Sequence, residues 1–286
     1  MHYRVKSTRK RRHYRVKRTR NRNRKRNRNR TRTVNRYRIL TGGAVTDEEI
    51  KATKKAVNKI FEGFEVKSKE RNARRNKDPN TPGSKCLESI IEKNETTCIV
   101  FRVYMDPENI FIPGSKLIVI DSLGRCGVVG DERTGTVLLQ KVNELALSLP
   151  EYKYIKLTDA STVELCDSVT VSLAHLKILT KGLSWYNSHG YFSENHESDH
   201  AHNSLFIASK ISDTKVGSEP GFPPPVDSDE TVQGYVSRLM ESIGPAGTKC
   251  DEKQEQNAKI LKKVVDLLSP SLKYNYLNLI KTVTRM

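Results

Sequence analysis

His-Glu-Ser-Asp-His, residues 196–200, sets two imidazoles four positions apart with a carboxylate beside the first, and His202 follows. On a helix that spacing brings both rings to one face, where they can ligate zinc while the glutamate activates a metal-bound water. Such a helix needs an apolar face to hold it against a body, and the run SENHESDHAHNS (193–204) is polar throughout. It therefore predicts a loop of clustered histidines in which His196, His200 and His202 hold at most an adventitious metal. No metal site is assigned, and a zinc-dependent hydrolase stands only as an alternative. His175, inside the apolar pattern LAHLKIL, reads as a partly buried structural histidine. Asp159, Glu164 and Asp167 form an acidic cluster at the end of an expected strand; they can supply a base, although a solvated loop is the default. The sequence holds no Gly-x-Ser-x-Gly elbow, Walker-type phosphate loop or dinucleotide fingerprint.

A second kind of chemistry is concentrated at residues 1–38, which hold 15 Arg and 4 Lys and no acidic residue. They carry +19 of a chain whose formal net charge is +18, so residues 39–286 balance at −1. His-Tyr-Arg-Val-Lys-x-Thr-Arg occurs at His2 and again at His13, and an Asn-Arg alternation follows. Extended, that alternation sets its Arg side chains on one side about 6.6 Å apart, at about 3.3 Å per residue. A comb of planar guanidinium forks suits a phosphate backbone. The candidate contacts are Arg4, Arg9, Lys10, Arg11, Arg12, Arg15, Arg18, Arg20, Arg22, Arg24, Arg26, Arg28, Arg30 and Arg32. Apolar groups are too few there to offset the ordering entropy, so the arm is expected to be disordered when free and to bind nucleic acid or another polyanion. A nuclear-localisation tract at Arg9–Arg12 is the plainer alternative.

The elements that must position these groups are marked by periodicity. Thr46-Asp-Glu-Glu49 is a capping-box pattern, and Ile50, Val57, Ile60, Phe61 and Phe64 continue it at helical spacing. Residues 96–105 and 116–121 read as strands, 134–149 as an amphipathic helix stopped by Pro150, and 152–161 as a strand running into a turn. Residues 170–182 read as a helix ended by Gly182, and 183–193 as strand and turn. The organisation expected is an Arg-rich arm (1–43), a helix (44–66), a linker (67–85) and an α+β core (86–217). A Pro-rich linker (218–229) and an extension of three helices (230–286) complete it, free to pack on another protein.

Cys86, Cys98, Cys126, Cys166 and Cys250 are odd in number and widely spaced with no C-x-x-C pair, which predicts five reduced, mostly buried thiols. No apolar run reaches the length of a membrane span, and no apolar stretch follows the basic residues as in a secretory signal. The expected location is intracellular, in nucleus, cytoplasm or virion.

The order strand, strand, Gly-rich turn, helix, strand, helix, followed by Tyr186-Asn-Ser-His-Gly-Tyr191, resembles the second half of the GNAT acyltransferases over roughly residues 96–192. The segments DAST and LSWYNSHGY also look like those of uncharacterised proteins of large eukaryotic DNA viruses. The resemblance implies a mixed, largely antiparallel sheet with flanking helices. It also implies acetyl-CoA as cofactor, with its pyrophosphate at the helix start formed by Arg133, Thr134, Gly135 and Thr136, and Tyr186 as the general acid toward the leaving thiolate. In the glycine pattern of that family Gly135 fits, whereas Arg133 stands where an earlier glycine belongs. The expectation is therefore a nucleic-acid-associated protein, plausible in a virus, whose acyltransferase-like body need not be catalytic. An active N-acyltransferase is the alternative.

Overall fold

In the computed structural model the described residues are 45–73, 84–106, 112, 114–124, 126, 133–166, 169–244 and 249–285. The basic arm and its candidate contacts lie outside them, as do Asp167 and most of the turn between residues 124 and 133. The fold is α+β, built on a mixed, mostly antiparallel six-stranded sheet.

Helix α1 (Asp47–Ile60) starts where expected, with Thr46 accepting a hydrogen bond from the Glu49 N–H at 3.2 Å. It leads into β1 (Glu65–Ala73), β2 (Ser84–Lys93), β3 (Thr96–Tyr104) and β4 (Lys116–Leu123), each antiparallel to its predecessor. Helix α2 (Arg133–Ser148) then crosses over so that β5 (Tyr152–Leu157) lies parallel to β4. Alternation along the strands sends Leu87, Ile91, Ile99, Phe101, Ile118 and Ile120 to one face, where α1 and α2 cover them. Phe61, which caps the C-terminus of α1, stacks on Phe101 at 5.5 Å between ring centroids. The opposite face carries a smaller cluster of Cys86, Tyr104, Leu117 and Val119, beside the cross-strand ion pairs Lys67–Glu92, Arg71–Glu88 and Arg102–Asp121.

A second core belongs to the helical half. The hairpin β6 (Thr162–Leu165) and β7 (Val169–Ser172) feeds α3 (Leu173–Lys181), whose C-terminus is closed by Gly182 in the left-handed region at φ 79°. Helices α4 (Trp185–Ser188), α5 (His196–Ala208), α6 (Lys215–Ser218), α7 (Val232–Glu241) and α8 (Glu252–Leu268) follow. Val171, Leu176, Leu179, Ile207, Tyr235, Leu239, Leu261 and Val265 pack together between them.

Several expectations are overturned here. Of the segment expected as a linker, 67–85, the described residues are strand: 67–73 belong to β1 and 84–85 begin β2. The strand β1 reads as polar because it lies at the sheet edge, where charged residues such as Lys67, Lys69, Glu70 and Arg71 discourage pairing with other chains. Residues 183–193 hold the short helix α4 rather than a strand. Residues 193–204, expected as a loop, lie mostly on α5. The third helix expected in 271–284 is instead a strand, β8 (Leu279–Thr282), antiparallel to β5 at the sheet edge. The C-terminal segment is thus part of the main sheet, not an appended bundle. Cysteines 98 and 126 form a disulfide across Cα atoms 4.7 Å apart, and cysteines 166 and 250 form another across 5.2 Å. The expectation of five thiols therefore fails for four of them, because wide spacing in sequence does not limit proximity in space. Cys86 alone is a buried thiol among the five.

Candidate functional site

The two ends of the resemblance, the start of α2 and the Tyr186 segment, meet in space. Ser184 and Asn187 form a capping box, with Ser184 Oγ accepting from the Asn187 N–H at 3.1 Å, and this turns residues 185–188 into a helical turn. The turn lays the Trp185 indole against Gly135. A Cβ at residue 135 would sit 3.1 Å from Trp185 Cη2 and 3.3 Å from Cζ2, so the glycine makes room for the ring. His189 completes the contact, its Nε2 lying 3.2 Å from Thr136 Oγ1 and its Nδ1 2.9 Å from the Trp185 carbonyl. A carbonyl only accepts, so Nδ1 carries the proton, and Nε2 accepts from the Thr136 hydroxyl. Lys281 Nζ in turn donates to the His189 carbonyl at 3.0 Å.

Free N–H groups and the helix dipole would favour an anion at the first turn of α2. Here the Trp185 ring packs beside that turn at Gly135, and the His189 ring beside it at the Thr136 hydroxyl. The backbone of Arg133 opens the helix, and Thr134 is half-buried in its first turn. Tyr186 belongs to the core cluster over the sheet. It is 6% exposed, meets the Trp185 ring edge-on at 4.9 Å and Tyr191 at 6.2 Å. Burial, reinforced by the Asp159 carboxylate, drives its phenol pKa well above the ordinary value. A general acid works best with a pKa near the working pH, so this phenol is badly matched to proton delivery.

Asp159 is not a free base either. Its Oδ2 accepts from Tyr274 Oη at 2.6 Å, while Oδ1 accepts from the Ser161 N–H at 3.1 Å and the Ser161 hydroxyl at 2.5 Å. Tyr274 Oη also lies 3.0 Å from Ser184 Oγ, which ties the strand end to the α4 capping box. Glu164 is exposed on β6, away from this network.

The histidine segment is helical for a reason other than an apolar face. Asn203 is buried and binds the backbone of Lys273 twice, donating to its carbonyl at 2.8 Å and accepting from its N–H at 2.9 Å. His202 lies 3.0 Å from the Ser271 carbonyl and so leaves the other two histidines. The rings of His196 and His200 are parallel within 7° at 5.9 Å between centroids, and Phe192 stacks on His196 at 4.2 Å. Burial, then the neighbouring His200, hold the His196 pKa below the ordinary value. Among the described residues no group of three or more His, Cys, Asp or Glu is placed to hold a metal ion. Core packing is the reading the sequence favours for Trp185, whereas sequence reasoning did not single out His189. The signal available for it was the Ser-Trp-Tyr-Asn capping pattern, which marks a helix start.

Among the described residues no helix is long and apolar enough to cross a membrane. The chain matches no protein-family model, no curated protein and no solved structure.

Proposed function

We propose that this protein is a nucleic-acid-associated binding protein, its basic N-terminal segment holding a polyanion and its body acting as a scaffold rather than a catalyst. The observation that carries this reading is the division of charge: +19 on residues 1–38 against −1 on residues 39–286. Only the first segment needs an anionic partner, and its Arg-Asn alternation suits contact with phosphates without base preference. A non-catalytic body is supported by the indole of Trp185 over the first turn of α2 and by the burial of Tyr186. The two disulfides favour an assembled particle, such as a virion, over the reducing cytosol as the place where the protein works.

A GNAT-like design for the body, with an active acetyl-CoA-dependent acyltransferase as the second reading, draws on one observation. The parallel β4–β5 pair is joined by α2, whose N-terminus follows the C-terminal end of β4. Ligands commonly bind at that end of parallel strands. On this reading Arg133, Thr134, Gly135 and Thr136 would face the cofactor only if Trp185 and His189 withdrew. A zinc hydrolase at 196–200 has nothing further in its favour, since a third ligand is missing among the described residues.

The test is titration of double-stranded DNA and of RNA with the full chain and with a chain beginning at Ile39, at several salt concentrations. Six to ten phosphate contacts would lower affinity about 10³- to 10⁵-fold between 50 and 200 mM salt. The shortened chain is expected to lose both the affinity and the slope. Equal affinity and slope in the two chains would remove the proposal. In parallel, acetyl-CoA is expected to give no heat of binding in calorimetry, and saturable binding would favour the second reading.

A further inference from the structure

We propose that the N-terminal half of α5 chelates one divalent transition-metal ion of the zinc, copper or nickel class through His196 and His200. The two histidines are one helical turn apart, and their rings stand parallel on the same face. With metal–nitrogen bonds of about 2.0–2.1 Å, two nitrogens can straddle one ion at up to about 4 Å. The ring planes are parallel with centroids 5.9 Å apart, so both side chains must turn to aim one nitrogen each at a shared ion. Imidazole nitrogens suit these metals better than they suit magnesium or calcium.

Second-layer contacts support the assignment. Phe192 packs on His196 and restricts its ring, and Ser204 Oγ lies 3.3 Å from His200 Nδ1 and orients the other ring. Both rings line a small depression together with Asp199, which comes from the same stripe of α5. The Asp199 carboxylate offsets part of the charge of the ion and can accept a hydrogen bond from a water bound to it. Glu197 is exposed and does not line the depression, so the residue that would have to activate water for hydrolysis is absent from it. With two protein ligands the remaining coordination positions go to solvent, which describes a binding site and not a protease.

Zinc titration of the full chain by calorimetry, with His196→Gln, His200→Gln and His202→Gln variants, tests the assignment. One equivalent is expected, weakened at least tenfold by either of the first two substitutions and unchanged by the third. His2 and His13 are present in every variant, so binding by the N-terminal segment would persist in all of them. As a readout that needs no variant, zinc should protect His196 and His200 of the unaltered protein from diethyl pyrocarbonate while His202 stays reactive. No saturable binding, equal affinity in the three variants or no protection would each overturn the proposal.

Discussion

At the scale of single residues, burial decides what the polar side chains can do. The Thr136 hydroxyl and the His189 imidazole form a pair that in an open cleft would resemble an activated nucleophile. Beneath the Trp185 indole they instead fasten α4 to α2. His175 gives a measurable example of the same control. Burial holds its pKa below the ordinary 6.5, with Asp159 and Asp266 pulling weakly upward. The unfolded chain therefore takes up this proton at a higher pH than the folded one. The stability contribution is complete above the unfolded value and is lost as pH falls through the folded value. Thermal melts are expected to show Tm falling below about pH 6.5, with a shallower fall in a His175→Asn variant. Identical slopes in the two proteins would show that His175 titrates alike in both states.

At the scale of elements, the helices over the sheet are closed by cations from elsewhere in the chain. Lys141 Nζ of α2 donates to the Ile60 carbonyl at 2.6 Å, at the end of α1. Arg285 donates to the carbonyls of Ala146, Leu149 and Tyr152 at 3.2, 2.8 and 3.1 Å, at the end of α2. An exposed charge at a helix C-terminus contributes about 0.3–1 kcal/mol, so Arg285→Ala is expected to lower unfolding stability by about 1 kcal/mol in urea titration. All three bonds come from the single nitrogen Nη2, so Arg285→Lys, which keeps one charged donor nitrogen, should recover most of that. A null result for the alanine variant would mean that solvent replaces these bonds without loss. Periodicity made α1, α2, β3 and β4 legible in the sequence, because in each the buried side recurs at the period of the element. It failed where polar groups do the holding. β1 is an edge strand rich in charged residues, and α5 is anchored by an amide and an imidazole on backbone atoms. β8 is four residues long, too short to declare a period, and only its neighbour β5 makes it a strand. The candidate site was legible as two motifs, residues 133–136 and 186. That Trp185 would lie between them depended on a tertiary contact that neither motif contains.

At the scale of the molecule, the two disulfides alter what the cysteine pattern suggested. Cys166–Cys250 closes a sequence separation of 84 residues and joins the β6–β7 hairpin to the segment before α8. In the chain-entropy picture a loop of that size stabilises by about 4–5 kcal/mol through restriction of the unfolded chain. Thiol titration of protein denatured without reductant is expected to find one thiol per chain, Cys86, and five after reduction, with a lower Tm for the reduced protein. Five thiols before reduction would refute both pairings. The charge division, by contrast, was legible from composition alone, because net charge is a property of sequence that folding cannot alter. The position of β8 has a consequence for synthesis. Leu279 pairs with Leu157, and Arg285 reaches Ala146 across 139 residues. A nascent chain emerging from the ribosome therefore carries β5 as a bare margin until the stretch around 279–285 has been translated. The sheet can be completed only at that late moment, so a chain interrupted before it would be a ready substrate for chaperones.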